Sequence, residues 1–158
     1  MNYKKSGFTL TETLLAAAVI SVVLILSAPF YNTFQTANQL DIFSSEVLQT
    51  LRESQTKAML SENDSAWGVY FEINIGDKDK FVLFKGPDYS NRDQNYDQIS
   101  ELPKTLSFEE ISLEQGGNEV VFGKLKGLTQ NYGFLKIRSV LNQERTITIN
   151  EAGRISIQ

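Results

Sequence analysis

The chain has 158 residues, room for one modest domain plus an extended element, and it contains neither cysteine nor histidine. The missing cysteine excludes disulfides, thiol catalysis and thiolate metal sites, and the missing histidine removes the commonest general base and transition-metal ligand. Composition leaves carboxylate, serine–lysine and tyrosine chemistry open, but no motif supports a serine–lysine pair. We therefore expect no metal and no cofactor.

The net charge of −4 is spread unevenly along the chain. Residues 60–118 hold twelve acids and five bases, whereas residues 119–158 hold six bases and three acids. An acidic overall balance argues against a dedicated nucleic-acid binder, although the basic carboxyl-terminal segment keeps that alternative open.

The amino-terminal segment is the most apolar part of the chain. No charged residue occurs between Glu12 and Asp41, and residues 14–31 are strongly apolar. Eighteen helical residues span about 27 Å, close to the thickness of a bilayer's hydrocarbon core. A cleaved secretory signal is disfavoured because "LSAPF" offers a poor cleavage site, and a buried core helix would rarely run so long without a polar face. We predict a membrane span, with the amino terminus in the cytoplasm because Lys4 and Lys5 precede it.

The stretch "KKSGFTLTETLLAAAVISVVLILSAPF" resembles the start of type IV prepilins and type II secretion pseudopilins. The resemblance implies that a prepilin peptidase cleaves between Gly7 and Phe8 and that Phe8 becomes the N-methylated first residue. Glu12 then occupies the position of the family's glutamate, and Pro29 that of its helix-kinking proline.

The resemblance also implies a reason for the acidic residue at the mouth of the apolar run. Cleavage creates a cationic amine on Phe8, which can pair with Glu12 of a neighbouring subunit in a filament. Buried charges are tolerable when paired, whereas removal of one partner is costly. Glu12 is therefore predicted to act in subunit assembly and to have no catalytic role.

The implied protein is a minor pilin or pseudopilin precursor, a structural subunit and not an enzyme. Its implied partners are other pilin or pseudopilin subunits, the prepilin peptidase, the inner-membrane assembly platform and membrane lipid. It would lie first in the prokaryotic cytoplasmic (inner) membrane as a single-pass protein with its carboxyl-terminal domain outside, and later in a pilus or pseudopilus.

Beyond Pro29 the helical period continues and becomes amphipathic. Apolar residues recur at helical spacing at Phe34, Ala37, Leu40, Phe43, Val47, Leu51 and Ala58. The pattern predicts one helix from about Thr9 to about Leu60, ended by "SENDS". We divide the chain into a leader (1–7), a membrane and filament-core helix (8–31), an amphipathic continuation (32–62) and a β domain (63–158).

The β domain is predicted from alternating apolar residues. In "AWGVYFEINI" the odd positions from Trp67 to Ile75 are apolar, and "GDKDK" forms a turn into the strand "FVLFKG". Further strand candidates are "LSFEEISL", "EVVFGKL", "YGFLKIRSVL" and the terminal hairpin "RTITI" and "RISIQ". The prediction is an α+β fold in which the long helix covers a small antiparallel β domain.

A second resemblance covers single positions only. "LRESQTKAM", "WGVYF" and "INEAGRISI" resemble the H-type minor pseudopilins and related minor pilins. That resemblance implies a β-sandwich of two sheets.

The loop "GPDYSNRDQNYDQ" is a candidate calcium site. Asp93, Asn95 and Asp97 are spaced as in the opening of an EF-hand loop, but Gln98 and Lys104 replace its glycine and glutamate. The EF-hand assignment fails. The segment is predicted to be a solvated polar loop, and a looser oxygen cage is the weaker alternative.

Two further function classes remain open. Certain minor pilins of the subtype bind DNA through basic residues near the carboxyl terminus, and the candidates here are Lys136, Arg138, Arg145 and Arg154. Convergence of these side chains on one exposed patch would favour DNA binding. Lack of cleavage after Gly7 would favour a single-pass membrane-anchored β domain with an unrelated ligand.

Overall fold

A computed structural model describes residues 7–158, with the backbone alone given for residues 26–32. By internal packing the chain divides into two compact units, Met1–Gln35 and Thr36–Gln158. Helix α1 (Leu10–Met59) belongs to both units. The predicted helix is therefore confirmed to within one residue at each end.

The helix ends where the sequence predicts a stop. Ser61 adopts a left-handed conformation with φ 51°, and a short 3-10 helix (Glu62–Asp64) follows it. An L-residue cannot continue a right-handed helix from that conformation, so the chain turns here into the first strand.

Eight antiparallel strands form two four-stranded sheets in the second unit. The strand order is β3-β2-β1-β5 in the first sheet and β4-β6-β7-β8 in the second. The strands are β1 (Trp67–Glu72), β2 (Lys80–Lys85), β3 (Asp93–Glu101), β4 (Leu106–Leu113), β5 (Glu119–Phe122), β6 (Gly133–Ser139), β7 (Glu144–Ile149) and β8 (Ile155–Ile157).

One hydrophobic core joins the helix to both sheets. The helix buries a stripe with Leu40, Val47 and Leu51 at its centre, which matches the predicted period except at Phe34, which is 72% exposed. Alternate residues of the strands meet that stripe, and the rings of Phe71 in β1 and Phe108 in β4 lie 5.4 Å apart. Each fully buried large apolar side chain contributes about 1.5–3 kcal/mol to the free energy of unfolding. The predicted α+β architecture, a helix packed on antiparallel sheets, is confirmed.

Two predictions about the strands are wrong. The segment predicted to be a polar loop contains β3, which pairs with β2. It lies at the edge of its sheet and is mostly exposed, so it lacks the alternating apolar residues that reveal a half-buried strand. β1 ends at Glu72, and Ile73 and Ile75 lie exposed in the turn to β2 instead of on the buried face.

Within the described part of the chain, no helix combines the length and the sustained apolar character needed to cross a bilayer.

Two predictions concern parts outside the described residues. The basic leader with Lys4 and Lys5 lies before residue 7, and Pro29 lies among residues 26–32, for which no side chains are described. The bend at Pro29 stays a prediction.

Candidate functional site

The predicted cleavage site lies in the short non-helical stretch before helix α1. A side chain built on Gly7 would meet nothing within 4 Å, and the Phe8 side chain is 81% exposed. The Gly7–Phe8 bond is therefore reachable by an enzyme without any rearrangement of the described part of the chain.

Glu12 lies in the first turn of the helix, where Thr9 precedes the first helical residue. The backbone N–H of Glu12 donates to Thr9 Oγ1 at 3.3 Å. A threonine followed three residues later by glutamate is a capping-box pattern, and a carboxylate in the first turn interacts favourably with the helix dipole. The stretch "TLTE" carries this capping signal in the sequence, but the signal is not among the predictions made above.

The Glu12 carboxylate faces solvent and forms no ion pair with any of the described residues. It therefore has no charged partner in the described chain, although it is predicted to need one on assembly.

The first part of the helix, residues 14–25, is apolar on every side. Successive positions from 14 to 25 are exposed, so no single face of this stretch is covered by the described residues. A helix that is hydrophobic all round normally lies in a protein core or in a membrane. The exposed large apolar side chains are Phe8, Leu10, Leu14, Leu15, Val19, Ile20, Val22, Val23, Leu24 and Ile25.

Two of the candidate DNA-binding residues lie on the outer face of β6, as strand alternation predicts. Lys136 Nζ lies 3.3 Å from Glu110 Oε2, and Arg138 lies 2.6 Å from Glu109 Oε1 and 2.5 Å from Glu144 Oε1. The hydrogen bond to Glu144 and the charge of Glu109 raise the pKa of the Arg138 guanidinium. Both cations are therefore already paired with carboxylates of the same chain.

The other two candidates lie elsewhere. Arg145 is the register partner of Ile137, so its side chain leaves the opposite face of the sheet from Lys136 and Arg138. There it pairs with Asp41 of the helix at 2.8 Å. Arg154 is exposed just before β8 and forms no ion pair within the described chain. The four side chains do not converge on one patch.

The carboxylates of the rejected EF-hand segment are used locally. Asp93 Oδ1 accepts a hydrogen bond from the backbone N–H of Asn95 at 3.2 Å, and Asp97 Oδ2 accepts one from the Nε–H of Arg92 at 2.8 Å. Among the residues that the structure describes, no group of three acidic, histidine or cysteine side chains is arranged to hold a metal ion.

Gln55 joins the helix to two turns, a role that no sequence pattern indicates. Its Nε2 donates to the carbonyl oxygens of Gly127 and Gly153, each at 2.9 Å. Gly153 has φ 75°, and a Cβ there would lie 2.3 Å from the Gly127 carbonyl oxygen. Only glycine fits this close approach. The contact brings together "LRESQTKAM" and "INEAGRISI", two of the stretches with H-type resemblance.

Asp79 is a second polar residue that sequence reasoning missed. Its side chain is buried, and its two oxygens accept the backbone N–H groups of Asn74 at 2.8 Å and Phe108 at 2.7 Å. Asp79 therefore ties the β1–β2 turn of the first sheet to β4 of the second.

Comparison with known proteins bears on the amino-terminal segment alone. Residues 2–28 match the family model described as the prokaryotic N-terminal methylation motif. No curated protein and no solved structure matches the chain. The matched residues include Gly7, Phe8 and Glu12, so the match supports the prepilin-type family, whose members are processed by a peptidase and assemble with other pilin subunits.

Proposed function

We propose that this chain is the precursor of a minor pilin or pseudopilin, a structural subunit of a type IV pilus or a type II secretion pseudopilus. Prepilin peptidase removes residues 1–7 and methylates the new amino terminus at Phe8. The mature chain has no catalytic role of its own.

The observation that carries this proposal is the methylation motif at residues 2–28, which lies on a helix whose apolar side chains are exposed all round from residue 14 to residue 25. At about 25 cal/mol per Å² of apolar surface removed from water, covering such a helix releases a large free energy. We propose that membrane lipid covers it first and that the helices of neighbouring subunits cover it in the filament.

In this proposal, Glu12 sets the register between neighbouring subunits of the filament. Its carboxylate is exposed beside the apolar stretch, and the amine of Phe8 in a neighbouring subunit is the cation that pairs with it. Pairing makes the burial of both charges tolerable. The cytoplasmic amino terminus, the inner-membrane anchor and the contact with the assembly platform are parts of the same proposal.

The experiment is co-expression of the full chain with a prepilin peptidase, followed by mass spectrometry of the purified product. The expected mature chain begins at Phe8 and carries one added methyl group. Gly7→Leu should block cleavage, and this change disturbs no contact because the space around Gly7 is open. Ser45→Leu, at an exposed position of the helix, should be processed normally. An intact leader on the unsubstituted chain in peptidase-positive cells would refute the proposal.

A further inference from the structure

The loop after β5 exposes apolar side chains at the carboxyl-terminal end of the helix. Leu125 is 69% exposed and has φ 67°, a left-handed conformation that is unfavourable for a bulky residue. Its N–H donates to the carbonyl of Ala58 at 2.9 Å, so the loop is held against the helix end. Such backbone strain occurs preferentially at functional sites.

This loop borders a cleft of about 730 Å³. The cleft lining includes Val121, Lys126, Leu128 and Glu151, and the exposed side chain of Met59 packs against the loop at Gly127. Lys126 forms no ion pair with any described residue. We call this feature, lined by Val121, Lys126 and Leu128, the helix-end cleft.

The β1–β2 turn has the complementary character. Ile75 is fully exposed at its tip and Ile73 is 45% exposed, although such apolar side chains are seldom placed in a turn. Asp77 in the same turn is exposed, and its carboxylate makes no ion pair within the described chain. We call Ile73, Ile75 and Asp77 the apolar turn.

The apolar turn and the helix-end cleft lie at opposite ends of the second unit. The start of β1 lies at the carboxyl-terminal end of the helix, where Trp67 Nε1 donates to the carbonyl of Glu62 at 3.1 Å. β1 runs away from that point to the turn.

The far end of the unit is fixed by a second set of contacts. Asp79, which follows the turn, accepts the N–H of Phe108, and Thr105 just before β4 donates to Gln39 of the helix at 2.7 Å. Since Gln39 and Met59 are separated by twenty helical residues, the two ends are about 30 Å apart.

We infer that the second units of successive copies join head to tail, with the apolar turn of one copy seated in the helix-end cleft of the next. Ile75 would fill the cleft beside Leu128, and Asp77 would pair with Lys126. A contact between two different surfaces of the same chain does not close on itself, so it propagates as a filament. The inference rests on the proposed function for its place in a filament, and it names the partner as a second copy of this chain.

The concave shape of the helix-end cleft favours a protein segment over a lipid surface. A flat bilayer would not fill a cleft of about 730 Å³. The apolar turn offers the exposed side chain of Ile75 to the cleft and the unpaired carboxylate of Asp77 to Lys126.

Disulfide cross-linking tests the inference cleanly because the chain contains no cysteine. Full-length Ile75→Cys and Leu128→Cys chains, carrying different tags, are purified in detergent, mixed and oxidised. Val140→Cys serves as the matched control partner. It is 65% exposed against 48% for Leu128, but it lies beside Thr105 at the same end as the apolar turn. Head-to-tail contact predicts that Ile75→Cys couples to Leu128→Cys about fivefold more than to Val140→Cys.

Charge reversal gives a second readout. Asp77→Lys or Lys126→Asp alone should lower the Ile75–Leu128 yield about fivefold, and the two changes on opposite partners should restore it. Equal coupling to Leu128→Cys and Val140→Cys, or the absence of restoration, would overturn the inference.

Leader cleavage separates this inference from the proposed function. A chain that is never cleaved but forms the Ile75–Leu128 disulfide refutes the proposed function and leaves the inference intact. A chain that is cleaved and assembled but fails to form that disulfide refutes the inference alone.

Discussion

The side-chain amide of Gln55 donates to the carbonyl oxygen of Gly153 at 2.9 Å, across 98 residues of sequence. The same nitrogen also donates to Gly127 at 2.9 Å, so one side chain holds the helix against two turns that contain left-handed glycines. Neither turn is part of a strand, and the Gln55 contact is one of several hydrogen bonds that position them.

Replacement of Gln55 by alanine should therefore lower the free energy of unfolding of the second unit, Thr36–Gln158, which we call the globular unit. Two carbonyl groups lose their donor, at a cost of about 1–3 kcal/mol for each one that stays buried. Urea unfolding followed by circular dichroism measures the change. Gln49→Ala, an exposed position on the same helix, should change stability by no more than about 0.5 kcal/mol. Equal effects of the two substitutions would show that the contact is not stabilising.

Asp79→Asn should destabilise the unit although it preserves size and shape. The asparagine amide places an N–H donor where the carboxylate accepts from Asn74 or Phe108, and the unsatisfied buried group costs about 1–3 kcal/mol. The matched control is Asp77→Asn in the same turn, which removes an exposed carboxylate and should be nearly neutral for folding. The comparison is made by thermal unfolding. If Asp79→Asn has the same melting temperature as the unsubstituted chain, the hydrogen bonds of Asp79 between the two sheets do not stabilise the fold.

The helix stripe should be indispensable to the globular unit. A fragment that begins at Thr33 should be soluble, monomeric and cooperatively folded, whereas one that begins at Asp64 should aggregate through the uncovered sheet face. Leu51 is fully buried, so Leu51→Ala should cost about 2–5 kcal/mol, and Ile42→Ala, at a 52% exposed position, should cost far less. Size-exclusion chromatography measures the oligomeric state of the two fragments, and urea unfolding measures the loss of stability in the two substituted chains. A stable, monomeric Asp64 fragment would contradict this account of the core.

Glu12→Ala should leave membrane insertion and leader cleavage intact but impair assembly. Removing a carboxylate eases insertion by up to about 2.5–3.5 kcal/mol at mid-membrane and by less near the interface. Glu46→Ala, a carboxylate on the helix of the globular unit, is the control and should assemble normally. Assembly is measured as the fraction of chain recovered in sheared filaments. Wild-type yields from Glu12→Ala would show that the charge pair is not needed.

The predictable parts of the fold are those where side chains repeat at a structural period. The stripe through Leu40, Val47 and Leu51 predicts the helix, and the alternation of Leu135 and Ile137 with Lys136 and Arg138 predicts the two faces of β6. Both signals arise because one face is buried. β3 is mostly exposed and polar, so it carries no such signal and was missed.

Polar contacts between distant segments were not predictable. Nothing in the local sequence distinguishes Gln55 from Gln49, or Asp79 from Asp77, because burial alone decides their roles.

The uneven charge along the chain also has a structural explanation. Lys136 and Arg138 of the basic segment pair with Glu110 and Glu109 of the acidic one, so much of the imbalance cancels within the folded unit. The candidate site differs, since the cleavage and methylation residues form a compact linear motif that is readable without a structure.

Several residues that contact the helix lie far along the sequence, and this bears on the order in which the globular unit folds. Asp41 pairs with Arg145 and Gln55 with Gly153, and Ile147, Ile149 and Ile155 supply the core beside them. The helix is synthesised first, but the core that it shares with both sheets is complete only when β7 and β8 exist. Contacts separated by about a hundred residues make folding slow compared with a helical bundle of the same size. We therefore expect the globular unit to resist proteolysis only after β6, β7 and β8 have joined the second sheet.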